Sequence, residues 1–238
     1  MALTQIPCLS IRGGDRFSVK QIFLFCSLML SMSLLGTVAA QSGNGISAGV
    51  PDPGVLSLHE KVDDLFKRGE VDRAYFIYRN ELVPLGDKYA QYMVGYMHHS
   101  GLAVNQDLVA ASAWYRLAAE RGTKEFAVLR DQLLNELTVE QRDRSNALYR
   151  ELRRQYCDLA VLLTSIKRLS QEFARARKTS LRDLTGSSYD DKVRRDMRSQ
   201  LKLLARLGNF EGLETSPSKV DIEEIERLVS ARIDELSD

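Results

Sequence analysis

The stretch DKYAQYMVGYMHHSGLAVNQDLVAASAWYRLAAERG, residues 87–122, decides the fold. Small and apolar residues recur three and four apart: Ala90, Val94 and Met97 in its first part, Ala111, Trp114 and Ala118 in its second. A helix turns once in about 3.6 residues, so each triplet lies on one face. Asp87 and Asp107 stand where exposed helix N–H groups need an acceptor, and Gly101 and Gly122 stand where a helix ends. The punctuation predicts two helices, 87–99 and 107–121, paired antiparallel by a short link. Small residues let the two backbones approach, and Trp114 fills the space left. Gly95 marks a close crossing, because an unconstrained glycine inside a helix costs about 1 kcal/mol against alanine.

The same periodicity extends outward in both directions, without sustained period-two alternation, so the chain reads as all-α. Upstream, a helix over 56–67 stops at Gly69, and a second over 70–83 is broken by Pro84, Leu85 and Gly86. Downstream, Thr138 and Gln141 have the spacing of a capping box, which starts a new helix. From there no Gly or Pro occurs until Gly186. The apolar series Leu148, Leu152, Leu159, Leu162, Ile166, Leu169, Phe173 and Ala176 alternates intervals of three and four, with Gln155 as a polar exception. It predicts one long amphipathic helix over 138–185 with a coiled-coil-like seam, a surface on which a homodimer could form. Two further amphipathic helices, 189–207 and 220–236, complete a C-terminal pair over 186–238.

Residues 87–122 resemble one complete SEL-one-like repeat (SLR), a relative of the tetratricopeptide repeat, whose unit is about 34 residues long. The resemblance is carried by Ala90, Gln91, Tyr92, Gly95, Met97, Gly101, Val104, Asp107, Ala111, Trp114, Tyr115, Ala118, Ala119 and Gly122. Three positions depart from the family pattern: Val94 replaces Leu, His98 replaces Tyr, and Ala103 replaces a second Gly, which implies a slightly altered loop. The segment Phe66-Lys67-Arg68-Gly69-Glu70-Val71-Asp72-Arg73-Ala74 resembles a degenerate leading unit. Leu129 to Leu133 followed by Leu137 to Gln141 resembles a closing segment. The resemblance implies a short α-solenoid of antiparallel helix pairs over 56–137, followed by the long helix and a C-terminal hairpin or coiled-coil-like extension. An array of about two and a half units lies near the minimum of about three that share a core, so its ends need caps.

The resemblance also implies protein binding. On the concave face, where the first helix of each pair points inward, the candidate contacts are Arg73, Gln91, Tyr92, Tyr96 and His99. The alternative for Tyr92 and Tyr96, four residues apart, is packing between neighbouring helices. Some exported SLR proteins have been linked to β-lactam binding or hydrolysis, and those resemble disulfide-stapled arrays with paired cysteines in each unit. This chain lacks those pairs, so that activity is not transferred.

Composition fits a globular protein, with 44% hydrophobic and 27% charged residues. Lys and Arg number 33 against 32 Asp and Glu, so no net basic field recruits nucleic acid. Charge separates locally: residues 150–183 carry nine basic against four acidic side chains, and 219–238 carry three against seven. Opposite charge can steer these helices together. A basic face for a polyanion is the alternative, although no aromatic groove interleaves it.

Arg12, Arg16 and Lys20 precede an apolar run over 22–35, and Val38, Ala39 and Ala40 precede Gln41. This is the layout of a signal peptide over 1–40, cleaved after Ala40 to give an exported, periplasmic chain. An uncleaved inner-membrane anchor over 22–40 is the alternative. Residues 41–55, with glycines at 43, 45, 49 and 54, read as a flexible leader. Cys8 and Cys26 leave with the signal segment, so Cys157 is the one thiol of the mature chain and reads as a small core residue.

His59, His98 and His99 are the only histidines. Neighbouring helical positions point about 100 degrees apart, so His98 and His99 do not chelate one metal, and His99 is expected to face solvent. With no nucleophile elbow, phosphate loop or metal-ligand spacing, neither an enzyme nor a cofactor is predicted. The leading expectation is an exported adaptor that binds protein partners of the cell envelope. A peptidoglycan- or carbohydrate-binding module and an envelope enzyme with an unrecognised site are the alternatives.

Overall fold

The computed structural model describes residues 53–178 and 186–237. Among these residues every regular element is helical. The signal segment and most of the leader lie outside the described residues. The last leader positions are corrected: α1 spans Pro53–Lys67, with Val55 already buried. Proline is well suited to a first helical turn, where its missing N–H costs no hydrogen bond.

Helix α2 (Val71–Ile77) continues through a π turn (Tyr78–Leu82) and a 3-10 turn (Val83–Leu85) before the chain reverses at Gly86. Helices α3 (Lys88–Ser100) and α4 (Leu108–Ala118, extended by a 3-10 turn over Ala119–Arg121) form the hairpin expected from the repeat. Their punctuation is as the sequence predicts. Asp87 accepts from the Ala90 N–H at 2.8 Å, and Asp107 accepts from the Ala110 N–H at 3.0 Å. Gly101 closes α3 in the left-handed conformation at φ 71°.

Helix α5 (Lys124–Glu136) and helix α6 (Val139–Tyr156) both pack against α4. The capping box that opens α6 is complete. Thr138 Oγ1 accepts from the Gln141 N–H at 3.2 Å, and the Thr138 N–H donates to Gln141 Oε1 at 2.9 Å.

The single long helix expected over 138–185 is instead two. Helix α7 (Asp158–Lys178) begins after Cys157, whose ψ of 164° is extended backbone. The cause is tertiary. Gln91 Nε2 donates to the Tyr156 carbonyl at 3.0 Å, satisfying an acceptor that the break leaves without a helical partner, while Asp158 is drawn toward Lys88 and Arg121. Cys157 is buried as expected, and burial pushes its thiol pKa up to about 11.

The apolar seam is consumed within the chain. Leu159, Leu162, Ile166, Leu169 and Phe173 belong to one core with residues of α8 (Gly186–Gly208) and α9 (Ile222–Glu235). Val193, Met197, Leu201 and Leu204 come from α8, and Ile225, Val229 and Ile233 from α9. These helices cover the seam at its described positions from Leu159 to Phe173, so that face is used within the chain. The charge segregation reads out as contacts between helices: Lys167 pairs with Glu226 at 2.6 Å and Arg154 with Asp234 at 2.8 Å. Exposed pairs of this kind contribute only about 0 to 1 kcal/mol each, so they orient the helices more than they stabilise them.

The core is continuous from Val62 and Leu65 of α1, through Val94, Met97 and Trp114 of the repeat, to the three C-terminal helices. The repeat is therefore capped on both sides, by α1 and α2 before it and by α6 to α9 after it.

Two residues test this packing. A Cβ built on Gly95 would lie 2.8 Å from Tyr115 Cδ1 and 3.1 Å from Trp114 Cβ, and both neighbours are buried. Gly95→Ala is expected to destabilise the protein by about 1 to 3 kcal/mol despite alanine's better helix propensity, measured by chemical denaturation. Ala103 lies in the left-handed region at φ 64°, so its loop takes up a conformation that glycine favours instead of avoiding it. Ala103→Gly is expected to stabilise by up to about 1 kcal/mol in the same assay by relieving that strain.

Candidate interaction surface

The proposed concave-face residues divide into distinct environments. Gln91 is fully buried and holds the Tyr156 carbonyl, so its side chain presents no surface to a ligand. Tyr92 stacks on Phe126 of α5 with ring centres 4.9 Å apart, and on Tyr115 of α4 at 5.6 Å. Tyr96 packs on the small cluster of Ala111, Tyr115 and Leu133. His99 is half-buried rather than solvent-facing, its Nδ1 3.4 Å from the Tyr115 hydroxyl. Burial pushes the Tyr92 pKa up to about 12 and the Tyr115 pKa further upward, so both phenols stay neutral. The arrangement is that of packing between helices, centred on Tyr115. Arg73 stands apart from it, exposed on α2 and paired with Glu70.

His98 fills its position by meeting Tyr75, with its Nε2 3.3 Å from the Tyr75 hydroxyl. Nearby, the Arg79 guanidinium lies 5.0 Å from the ring centres of both Trp114 and Tyr156 and donates to the Tyr156 hydroxyl at 2.9 Å. This cation between two aromatic faces ties α6 to the π turn and to the repeat.

A buried charge cluster joins the repeat to the C-terminal helices. Lys88 Nζ donates to the Leu117 carbonyl at 3.1 Å and to Glu120 Oε2 at 2.9 Å, and lies 3.3 Å from Asp158 Oδ1. Arg121 donates to both oxygens of Asp158, at 2.9 and 3.0 Å, and to the Gly86 carbonyl at 3.1 Å. Burial alone would raise the Asp158 pKa, but Arg121 and Lys88 outweigh it and hold the carboxyl below its ordinary value. Arg153 approaches Glu120 from α6, with Nε 3.1 Å from Oε1.

Beside this cluster, an open groove of about 790 Å³ runs between the end of α4, the outer face of α5 and the first half of α6. Its apolar lining is Ala119, Leu134 and Tyr149. Its polar lining includes Arg116, Arg130 and Arg142 and the amides of Asn135 and Asn146. Arg116 lies over the Tyr149 ring at 3.9 Å and donates to Asn146 Oδ1 at 2.6 Å. Arg142 donates to the Leu134 and Leu137 carbonyls at 3.0 and 3.4 Å, closing the end of α5. No local pattern in the chain announces this groove. Its arginines read individually as solvated helix positions, and only the fold gathers them.

Among the described residues no cluster of His, Cys, Asp and Glu could hold a metal, and no helix is long and apolar enough to cross a membrane. A Sel1 repeat is found at residues 88–123, which spans α3 and α4. Sel1 repeats are generally protein–protein interaction modules and are not catalytic. No curated protein and no solved structure gives a significant match.

One titration tests the entry to the repeat. His59 of α1 donates to Asp87 Oδ2 at 2.7 Å, the carboxylate that also caps α3. That hydrogen bond raises the His59 pKa above 6.5, against the opposing effect of burial. The contact therefore contributes fully below the unfolded value and is lost as pH rises through the raised folded value. Burial lowers the pKa of His98 and His99, so their contribution is present above 6.5 and is lost as pH falls through the folded values. Chemical denaturation across a pH series should show wild type exceeding His59→Gln most at the acid end, with the gap shrinking as pH rises. A gap independent of pH contradicts a charged His59.

Proposed function

We propose that this chain is an exported adaptor that binds protein partners of the cell envelope through its helical-repeat region. The observation that carries the reading is the Sel1 repeat at residues 88–123, a unit whose relatives generally mediate protein–protein interaction. Its hairpin is held rigid by the close Gly95 crossing and by caps on both sides, which suits a surface that binds without reorganising. Export rests on the sequence before Gln41: basic residues, an apolar run and a small-residue exit. A non-enzymatic role fits the groove's chemistry, since its polar groups are guanidiniums, amides and paired carboxylates, with no nucleophile beside a base.

The test is crosslinking in native cells with the tagged full chain, followed by mass spectrometry and N-terminal sequencing of the recovered protein. The expected result is a mature N-terminus at Gln41 and a reproducible set of envelope proteins crosslinked to residues of α3 to α6. Recovery of the chain without crosslinked partners overturns the adaptor reading, and an intact N-terminus in a cytoplasmic fraction overturns export.

A further inference from the structure

We infer that the groove between α4, α5 and α6 is a binding site for an acidic segment of a partner protein, whose Asp or Glu side chains seat on Arg116, Arg130 and Arg142. The inference rests on the protein-binding reading and specifies the chemistry of the partner.

Among the described residues Arg116 and Arg142 have no carboxylate partner; their hydrogen bonds go to an amide and to backbone carbonyls. A guanidinium has five N–H donors in a planar fork that matches a carboxylate, so most of the donors on both residues remain for a ligand. The two acidic groups of the groove are already engaged. Glu120 is turned toward Lys88 and Arg153, and Asp131 is bound by its sequence neighbour Arg130 at 2.8 and 3.1 Å. The Arg130 pair is largely exposed, and a pair of that kind is worth only about 0 to 1 kcal/mol, so a ligand carboxylate can share or displace it.

Arg116 is also repelled by neighbouring cations. Burial disfavours the Arg116 charge first, and Arg130, Arg150 and Arg153 add to this, offset in part by Tyr149. An incoming carboxylate relieves the repulsion. Arg116 is pre-positioned for it by the Tyr149 ring and Asn146, so little side-chain freedom is lost on binding.

The shape and remaining groups favour a peptide. A volume of about 790 Å³ exceeds what one small anion fills. The Asn135 and Asn146 amides can pair with a peptide backbone, and Ala119 and Leu134 provide apolar contacts for side-chain stems. A nucleic-acid strand is disfavoured because the Tyr149 face that a base would stack on is covered by Arg116.

The experiment is fluorescence anisotropy of the full-length chain with a labelled octapeptide of alternating Glu and Leu, against the matching Gln–Leu peptide and against inorganic phosphate as competitor. The Glu peptide is expected to bind and the Gln peptide not. Arg116→Gln combined with Arg142→Gln is expected to weaken binding about tenfold or more. Arg195→Gln, an exposed change on α8, should leave binding unchanged. Arg116→Lys keeps the charge but loses the fork, and should give an intermediate loss of binding; its thermal midpoint, read alongside, separates a binding defect from a folding defect. No binding of the Glu peptide, equal binding by the double variant, equal loss in Arg195→Gln, or complete competition by millimolar phosphate each overturns the inference. Repeating the crosslinking with the double variant separates the two readings. Partners retained by the variant leave the adaptor reading standing and remove the groove from it, whereas absence of partners from the wild type removes the adaptor reading itself.

Discussion

The fold depends on the Lys88 ammonium, a positive charge set between the repeat and the C-terminal helices with only 4% of the residue exposed. Removing a charge from water costs several kcal/mol, and the site offsets this by meeting each N–H of the ammonium with an oxygen. One is the Leu117 carbonyl near the end of α4, one is Glu120 in the turn that follows, and one is Asp158 at the start of α7. The start of α3, the end of α4 with its turn, and the start of α7 are thereby fixed relative to one another. Arg121 and Arg153 extend the cluster, so each carboxylate faces more than one cation.

The break at Cys157 follows from the same constraint. A helix that continued through this point would carry Asp158 and the Tyr156 carbonyl into other directions. In the fold, Lys88 and Arg121 hold the carboxylate while Gln91 holds the carbonyl. Once α7 is redirected, its apolar face meets α8 and α9, and the core of the repeat becomes continuous with that of the C-terminal bundle. The resulting molecule is a repeat hairpin embedded in its own caps, with its aromatic residues used largely for internal contacts around Tyr115 and Trp114.

That use of the aromatics shifts attention to a different face for binding. Side chains that stack on neighbouring helices are poor anchors for a partner, since freeing them would open the core. The α4–α5–α6 groove has the opposite character: its charged groups are positioned by neighbours yet keep donors free, and it lies on the repeat's second helix and the helices that follow.

Local information in the sequence determined the helices of the repeat. The caps at Asp87, Asp107 and Thr138, the end at Gly101 and the close crossing at Gly95 are set by residues within a few positions of where they act, and all were legible as such. The buried faces of α3, α4, α8 and α9 were legible too, because a period of about 3.6 residues exposes them directly. The break at Cys157 was not, since the apolar intervals pass through it unchanged and its cause lies on α3 and in the turn after α4. The burial of Gln91, the half-buried state of His99 and the gathering of Arg116, Arg130 and Arg142 were likewise decided by tertiary structure. Each depends on which helices become neighbours, and polar side chains carry no periodic signal of the neighbour they will meet.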